Sequence, residues 1–367
     1  MNFNFFKPQQ STILLFDKNS KVFFNYLKQK KYSLLNLEKE INIFVLLKLA
    51  LKFKRLNLMN YYIEYIRICS PKILITFIDN NILFYKLKNY FPKIYFVSVQ
   101  NGIRTKYFFQ KLTKEKNLKC DYILTWGSKI AAEYRKHIEC KTLPIGSFNN
   151  NRHKIKKRKK KRKSIVLIAS KYRRKGETVY ISRPNFFLSR EVFFKTEKAI
   201  LPKIFAICKK LNRNFEIVSK TVGKKVYEEK KFYEDILQSK NFKLHIKGKS
   251  KNIYDISDSV ELCLNTSSSF GLECLTRGNK ICFINTRKQN KIIRNLKVFW
   301  PGNYPANGSF WIDDLKNKKL EKMIESVLFS SNSALKKSKK KIIQGLISYD
   351  KDNRIFQNLI LKLAKNG

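Results

Sequence analysis

No stretch of the chain approaches the roughly 18–20 consecutive apolar residues of a membrane span. The best candidate, Ile41 to Leu51, is short and interrupted by Lys48. The first residues, Met1-Asn-Phe-Asn-Phe-Phe-Lys-Pro8, lack a basic segment followed by an apolar one, so the layout of a secretory signal is missing. CxxC pairs are missing too. The seven cysteines are scattered singly, with Cys263, Cys274 and Cys282 inside apolar runs. This argues against a disulfide framework or a cysteine zinc site and predicts core thiols in a reducing cytoplasm. The three histidines do not cluster, so no bound metal is expected: His137 falls in helical sequence, His153 in a basic stretch and His245 in a strand. No repeat of 20–50 residues is visible.

Acidic residues are scarce. Lys and Arg total 78 against 27 Asp and Glu, a net charge of +51. Glycine and alanine are also few while Lys, Asn, Ile and Phe abound, the signature of a coding bias toward A and T. Whatever its origin, such a charge draws a protein toward acidic surfaces, nucleic acid or a bilayer of acidic lipid. Nucleic acid is the weaker expectation, because the basic residues are spread along the whole chain and no reader module or aromatic RNP pattern is present. Peripheral contact with acidic lipid at the inner face of the plasma membrane is the expectation retained.

What is there is a folded chain. Hydrophobic residues make up 43% and aromatics 14%, and 367 residues suffice for two domains with cores of their own. In the first half, Ser11 to Asp17, Lys72 to Asp79, Ile94 to Gln100, Asp121 to Trp126 and Thr142 to Ile145 read as strands; Leu56 to Ile68 and Ser128 to Ile138 have helical spacing. Continuous apolar strands alternating with helices mean a parallel sheet covered on both faces. Lys154 to Lys163 then holds nine basic residues in ten, from which no core can be built. The alternation restarts with Ser164 to Ala169, Phe215 to Ser219, Phe242 to Ile246, Val260 to Asn265 and Ile281 to Asn285. From Lys336 to Leu363, apolar residues at Ile342, Ile343, Leu346, Ile347, Ile355, Leu359 and Leu363 recur at helical spacing. The expected architecture is α/β: a Rossmann-like domain over 1–150, a basic linker over 151–163, a second Rossmann-like domain over 164–332 facing the first across a cleft, and a C-terminal helix over 333–367.

Ligands of parallel sheets bind where strands end and helices begin. At Val260-Glu-Leu-Cys-Leu-Asn-Thr-Ser-Ser-Ser-Phe-Gly-Leu-Glu273, an apolar strand runs into Ser267, Ser268 and Ser269 and then a helix closed by Gly278. Hydroxyls and free N–H groups there suit an anionic phosphate. Gly271 permits close approach of a ligand or of the neighbouring strand, and Glu273 could accept from ribose hydroxyls. Equally, the serines could be caps, with Glu273 closing a capping box.

The run Thr266 to Lys280, followed by strand Ile281 to Asn285, resembles the donor loop of GT-B glycosyltransferases. It is most similar to that of bacterial surface-carbohydrate enzymes, including those that use CMP-activated sialic- or Kdo-type sugars. Val99-Gln-Asn-Gly-Ile-Arg104, Asp121-Tyr-Ile-Leu-Thr-Trp-Gly127 and Gly146-Ser-Phe-Asn-Asn150 look like the QNG, DxxxxWG and GSxxN landmarks of that group. The resemblance implies a GT-B fold, a serine turn on the donor phosphate, a glutamate on the ribose and no dependence on a metal. One departure is the lack of a His-Pro pair in the second half, with Ser182-Arg-Pro184 near its expected place. That counts against a CMP-linked donor, not against the fold.

The landmarks also have physical readings. Gln100, Asn101 and Gly102 close a strand, with Gly102 allowing a turn that points both amides and Arg104 into the cleft. Asp121 and Trp126 orient and pack a strand. Lys171, Arg173 and Arg174 follow the first strand of the second half and could neutralise a pyrophosphate or form a solvated loop. Inverting transfer needs a base for the acceptor hydroxyl, usually Asp or His at a strand end. Asp79 holds such a position, as would a helix N-cap; Asp17 is the reserve. The function expected is sugar transfer from a nucleotide-sugar donor, used as substrate without a cofactor, to a glycan or glycolipid acceptor. A sugar-nucleotide epimerase, a polyol-phosphate transferase and a basic nucleic-acid-binding protein are the alternatives.

Overall fold

The computed structural model describes residues 2–27, 31–37, 40–104, 106–156, 161–170, 172–180, 187–246, 252–266, 268–285, 307–313, 315–331, 333, 340 and 343–365. The chain divides into two compact units. One comprises Met1–Gly102, Phe108–His153 and Gly345–Gly367; the other comprises Ile103–Tyr107 and Lys154–Gln344.

The first unit is built on a six-stranded parallel sheet in the order β3-β2-β5-β6-β7-β8. Its strands are β2 (Ile13–Leu15), β3 (Tyr32–Leu34), β5 (Ile73–Thr76), β6 (Tyr95–Val99), β7 (Lys119–Thr125) and β8 (Glu139–Pro144). A separate parallel pair joins β1 (Asn2–Asn4) to β4 (Glu40–Asn42). Successive side chains point to opposite faces of a strand, and both faces are covered. Leu14, Leu74 and Phe96 pack with Tyr62, Phe84 and Tyr134, whereas Ile13, Leu15, Ile75 and Val97 pack with Phe23, Phe148 and Phe356. Continuous apolar strands follow from this double burial. The expected helices run Leu58–Cys69, capped by the Asn57 side chain, and Ser128–Arg135.

The C-terminal residues return to this first unit. Of the helix expected over 333–367, the described residues show Arg354–Lys365 as one continuous helix, with Lys340 and Ile343 also helical. Before it, Gly345 has φ +79° and Asp352 and Asn353 also sit in the left-handed region, so the apolar pattern runs through backbone that cannot be one helix. The buried stripe is Phe356, Leu359, Ile360 and Leu363, while Ile355 is exposed; Ile342 lies outside the described residues.

The second unit carries a six-stranded parallel sheet in the order β13-β12-β9-β14-β15-β16. Its strands are β9 (Arg162–Ile168), β12 (Asn214–Val218), β13 (Lys243–His245), β14 (Val260–Asn265), β15 (Ile281–Ile284) and β16 (Trp311–Ile312). A small antiparallel pair, β10 (Thr178–Tyr180) with β11 (Phe187–Ser189), stands apart. Each unit is therefore doubly wound, with its strand order reversing once: between β2 and β5 in the first, between β9 and β14 in the second. Crevices at such reversals are where open α/β sheets hold ligands. His245 is structural: its ring meets Glu216 at 2.6 Å, and Arg162 also pairs with that carboxylate. Burial pushes Glu216 up, but hydrogen bonds from His245, Ser164 and Arg162 outweigh it and hold the carboxyl down at about 2.

Candidate functional site

At the reversal of the first sheet, Asp17 follows β2 and joins it to β5. One of its oxygens accepts from the Ser20 amide at 3.0 Å. The other accepts from Ser20 Oγ at 2.8 Å, Thr76 Oγ1 at 2.7 Å and the Phe77 amide at 3.0 Å. Asp79, 0% exposed, accepts from the Asn101 amide at 3.0 Å through Oδ1 and from the Tyr134 hydroxyl through Oδ2, and its carbonyl accepts from Tyr85. Asp79 is not a helix N-cap, because Asn81 caps helix Ile82–Leu87.

Gln100 is buried, and its amide does not point outward as expected. Its Nε2 donates to Gly102 O at 2.7 Å and its Oε1 accepts from the Trp126 amide at 2.7 Å, while its carbonyl accepts from the Trp126 indole. Asp121 accepts from the Phe96 amide and pairs with Lys88, so it orients β6 against β7. Ile103 and Arg104 group with the second unit, where Arg104 bonds the Ile103 carbonyl.

Gly127 and Gly146 have a packing reason. A Cβ on either would collide with backbone of the returning segment, at Gly345–Leu346 for Gly127 and at Ser348 for Gly146, which also has φ +84°. Ser348 N donates to Trp126 O, and Asn151 donates to Asn353. Two of the landmark motifs thus receive the C-terminal segment. Around them, Asn19, Lys21, Val22, Phe77, Asn101, Asn149 and Arg152 line an open depression of about 610 Å³ at the carboxyl ends of β2, β5, β6 and β8.

The second unit's reversal is built differently. Beyond β14, Asn265 and Thr266 are buried, and the Asn265 side chain accepts from the Ser268 amide at 3.1 Å. Ser268 Oγ accepts from the Phe270 amide at 3.3 Å and from Lys220 Nζ at 2.9 Å. Lys220 follows β12, so its ammonium reaches past the end of β9 to the serine turn. Burial pushes Lys220 down to about 8, opposed by the nearby Glu273 carboxylate. The sequence reading missed this residue. Its signal was present, a lysine two positions past the apolar strand Asn214–Val218, but one lysine carries little information among 78 basic residues.

Ser269 opens helix Phe270–Thr276 without a side-chain cap. Glu273 accepts from the Tyr254 hydroxyl at 2.6 Å. Burial, and Glu273 beside it, push the Tyr254 phenol well up, so it remains the donor. Gly271 lies against β14 and β15: a Cβ there would sit 2.6 Å from the Asn265 side chain and 2.7 Å from the Phe283 ring. Arg174 is held by Glu228 at 2.7 Å, and Arg173 stands beside it, partly buried. Ser267 and Lys171 lie outside the described residues. A small recess of about 20 Å³ opens at the ends of β14, β15 and β16, lined by Thr266, Phe283, Asn285, Trp311 and Asp313. Among the described residues, no group of three or more His, Cys, Asp or Glu is placed to hold a metal ion.

A family model described as "putative O-antigen biosynthesis protein" matches residues 97–364. The chain belongs to this O-antigen biosynthesis family. The match takes in every landmark from the Gln100 turn to the terminal helix. A search of curated proteins returns no match. Solved structures give the fold of this family member as GT-B. The wall teichoic acid polymerase TagF, soaked with CDPG, aligns at TM-score 0.55 and 11% identity over 98% of this chain and 90% of its own. MurG of Acinetobacter baumannii aligns at 0.52 and 9% over 97% of this chain and 100% of its own. A Listeria monocytogenes structure described as a "putative UDP-N-acetylglucosamine 2-epimerase" aligns at 0.52 and 12% over 97% and 96%. Transferases and an epimerase thus share the scaffold, and fold does not fix chemistry.

Proposed function

We propose that the O-antigen family member is a glycosyltransferase that moves a sugar from a nucleotide-activated donor to a glycan or glycolipid acceptor. The observation that carries the reading is Lys220 Nζ at 2.9 Å from Ser268 Oγ, at the strand reversal of the second sheet. An ammonium and a hydroxyl from two different strand ends converge there, and a donor phosphate would take both hydrogen bonds. Ser269 extends the hydroxyl set, Arg173 adds charge, and Glu273, oriented by Tyr254, faces the ribose. The depression of the first unit, with Lys21 and Arg152 among amides, receives the acceptor.

Asp79 and Asp17 are assigned positioning roles here. A base must come within hydrogen-bond reach of the acceptor hydroxyl, and both carboxylates are buried, with every oxygen accepting from the protein. They hold the loops that carry Asn101, Gly102 and Phe77. Contact with acidic lipid, drawn from the +51 charge, belongs to the same proposal. No helix among the described residues is long and apolar enough to cross a membrane.

The test is a donor screen with product analysis. UDP-, GDP-, dTDP- and CMP-sugars and a nucleotide-activated polyol are titrated with a lipid-linked acceptor, with and without EDTA. Nucleotide release that requires acceptor and survives EDTA supports the reading. Interconversion of the donor sugar without acceptor would make the protein an epimerase.

A further inference from the structure

Large apolar side chains are unevenly exposed. Phe5, Phe6, Leu47, Leu51, Phe53 and Leu56 all face solvent, with Phe6 at 83% and Phe53 at 99%, while those beyond residue 60 are scattered along the chain. Such clustering on a folded surface marks an interaction site rather than ordinary exposure.

The cluster is built, not frayed. β1 pairs in parallel with β4, placing Phe3 opposite Ile41. β4 leads directly into helix Ile43–Leu51, whose cap Asn42 accepts from the Val45 amide and donates to the Phe6 carbonyl at 2.9 Å. The Phe6 amide in turn donates to the Asn4 side chain at 2.9 Å. The helix is apolar except for Lys48. Val45 and Leu49 are buried, whereas Leu47 and Leu51, one turn apart, are bare. A helix apolar on all sides is expected to be covered on all sides. The turn after it, Lys52 to Leu58, is exposed throughout and brings the Phe53 ring out, with Phe53 itself in the left-handed region.

Charge decides what covers this face. Lys48, Lys52, Lys54 and Arg55 alternate with the apolar residues, and residues 41–58 contain no acid. The nearest buried carboxylate, Glu64, meets Lys52 at 2.7 Å, Lys48 at 3.9 Å and Arg67 at 3.7 Å. Burial pushes Glu64 up, but these cations outweigh it and hold the carboxyl below its usual range. Glu40, exposed on β4 and bonded to Asn4, is the other acid at this face, and the two carboxylates are outnumbered by Lys48, Lys52, Lys54, Arg55 and Arg67. Aromatic and leucine side chains interleaved with cations fit the headgroup–acyl boundary of an acidic bilayer.

We infer that β1, the turn through Phe6, helix Ile43–Leu51 and the Phe53–Leu58 segment form a monotopic docking face that inserts its apolar residues into an anionic lipid surface. The inference deepens the peripheral-lipid part of the proposed function, from attraction by net charge to insertion at a defined face.

Flotation with phosphatidylcholine vesicles, with and without phosphatidylglycerol, tests it at low and at molar salt. The full chain is compared with a Phe5→Ser/Phe6→Ser/Phe53→Ser variant and a Lys48→Gln/Lys54→Gln/Arg55→Gln variant. The expected result is acidic-lipid binding that partly survives molar salt in the natural chain. The serine variant should bind at least about tenfold more weakly, since exposed aromatic area no longer leaves water. The glutamine variant should lose binding mainly at low salt. Melting temperatures within a degree or two of the natural chain show that the exposed positions do not support the fold. Equal partition of natural and serine chains overturns the face, even if charge-driven binding and sugar transfer are both intact. A dimer in lipid-free buffer that the serine variant dissociates also overturns it, by making a second copy the occupant.

Discussion

At the carboxyl ends of the first sheet, Asp17, Asp79 and Gln100 direct their polar atoms into one another's loops; at those of the second, Lys220 and Ser268 meet side chain to side chain. Both units share double winding and a single reversal of strand order. They differ in what fills the crevice. In the first, buried carboxylates accept backbone amides and hydroxyls, the arrangement expected of groups that fix a loop. In the second, burial disfavours the Lys220 ammonium and lowers it to about 8. A cation held at such a disadvantage beside a hydroxyl suits a site awaiting an anion. Residue type at a strand end therefore does not separate scaffold from site. The partners do.

The comparison breaks most sharply at Gly146. Gly146→Val adds a side chain at φ +84° against the Ser348 backbone, so roughly 3 kcal/mol or more of stability should be lost in thermal unfolding. A melting temperature near that of the natural chain would mean that the C-terminal segment does not need this contact. Asp79→Ala comes next. It leaves the Tyr134 hydroxyl and the Asn101 amide without their carboxylate, at about 1–3 kcal/mol each. Turnover per folded molecule should hold within a few-fold. A collapse of turnover with unchanged stability would instead return Asp79 to the role of base.

Glu273→Gln has a smaller expected effect, about tenfold weaker binding of both the nucleotide and the nucleotide sugar. Tyr254 keeps an acceptor in this variant, so the melting temperature should barely move. The smallest effect is in pH. Lys220 loses its proton as pH rises through about 8, whereas a bound phosphate holds that proton. Donor affinity should therefore be flat below pH 7 and fall by up to about tenfold per unit above 8, with proton uptake on binding.

Much of the fold could be read from the chain. Strands such as Ile73–Thr76 and Val260–Asn265 are continuous apolar runs because both sheet faces are buried, and each was placed within a few residues. The edge strands Tyr32–Leu34 and Trp311–Ile312 and the pair β10–β11 were missed. At two or three residues each, they carry no period. The serine turn was legible as a loop between strand and helix. Its lysine was not, because Lys220 and Ser268 are 48 residues apart and meet only through the sheet order. Asp79 and Gln100 stood at the right strand ends, but whether a polar side chain turns outward or into its neighbours is settled by tertiary partners that no local pattern encodes.

Isothermal titration of nucleotide-sugar donors against Lys220→Met, Ser268→Ala and the natural chain, with melting temperatures beside each, tests the central claim most directly. Each substitution removes a hydrogen bond to a charged phosphate, worth roughly 1.5–3 kcal/mol, so donor affinity should fall about ten- to a hundredfold. Lys220→Met should melt no earlier than the natural chain, because a buried ammonium is replaced by an apolar side chain of similar length. Donor binding at full affinity in Lys220→Met, with or without a lower melting temperature, would contradict the assignment of the donor site to this pair.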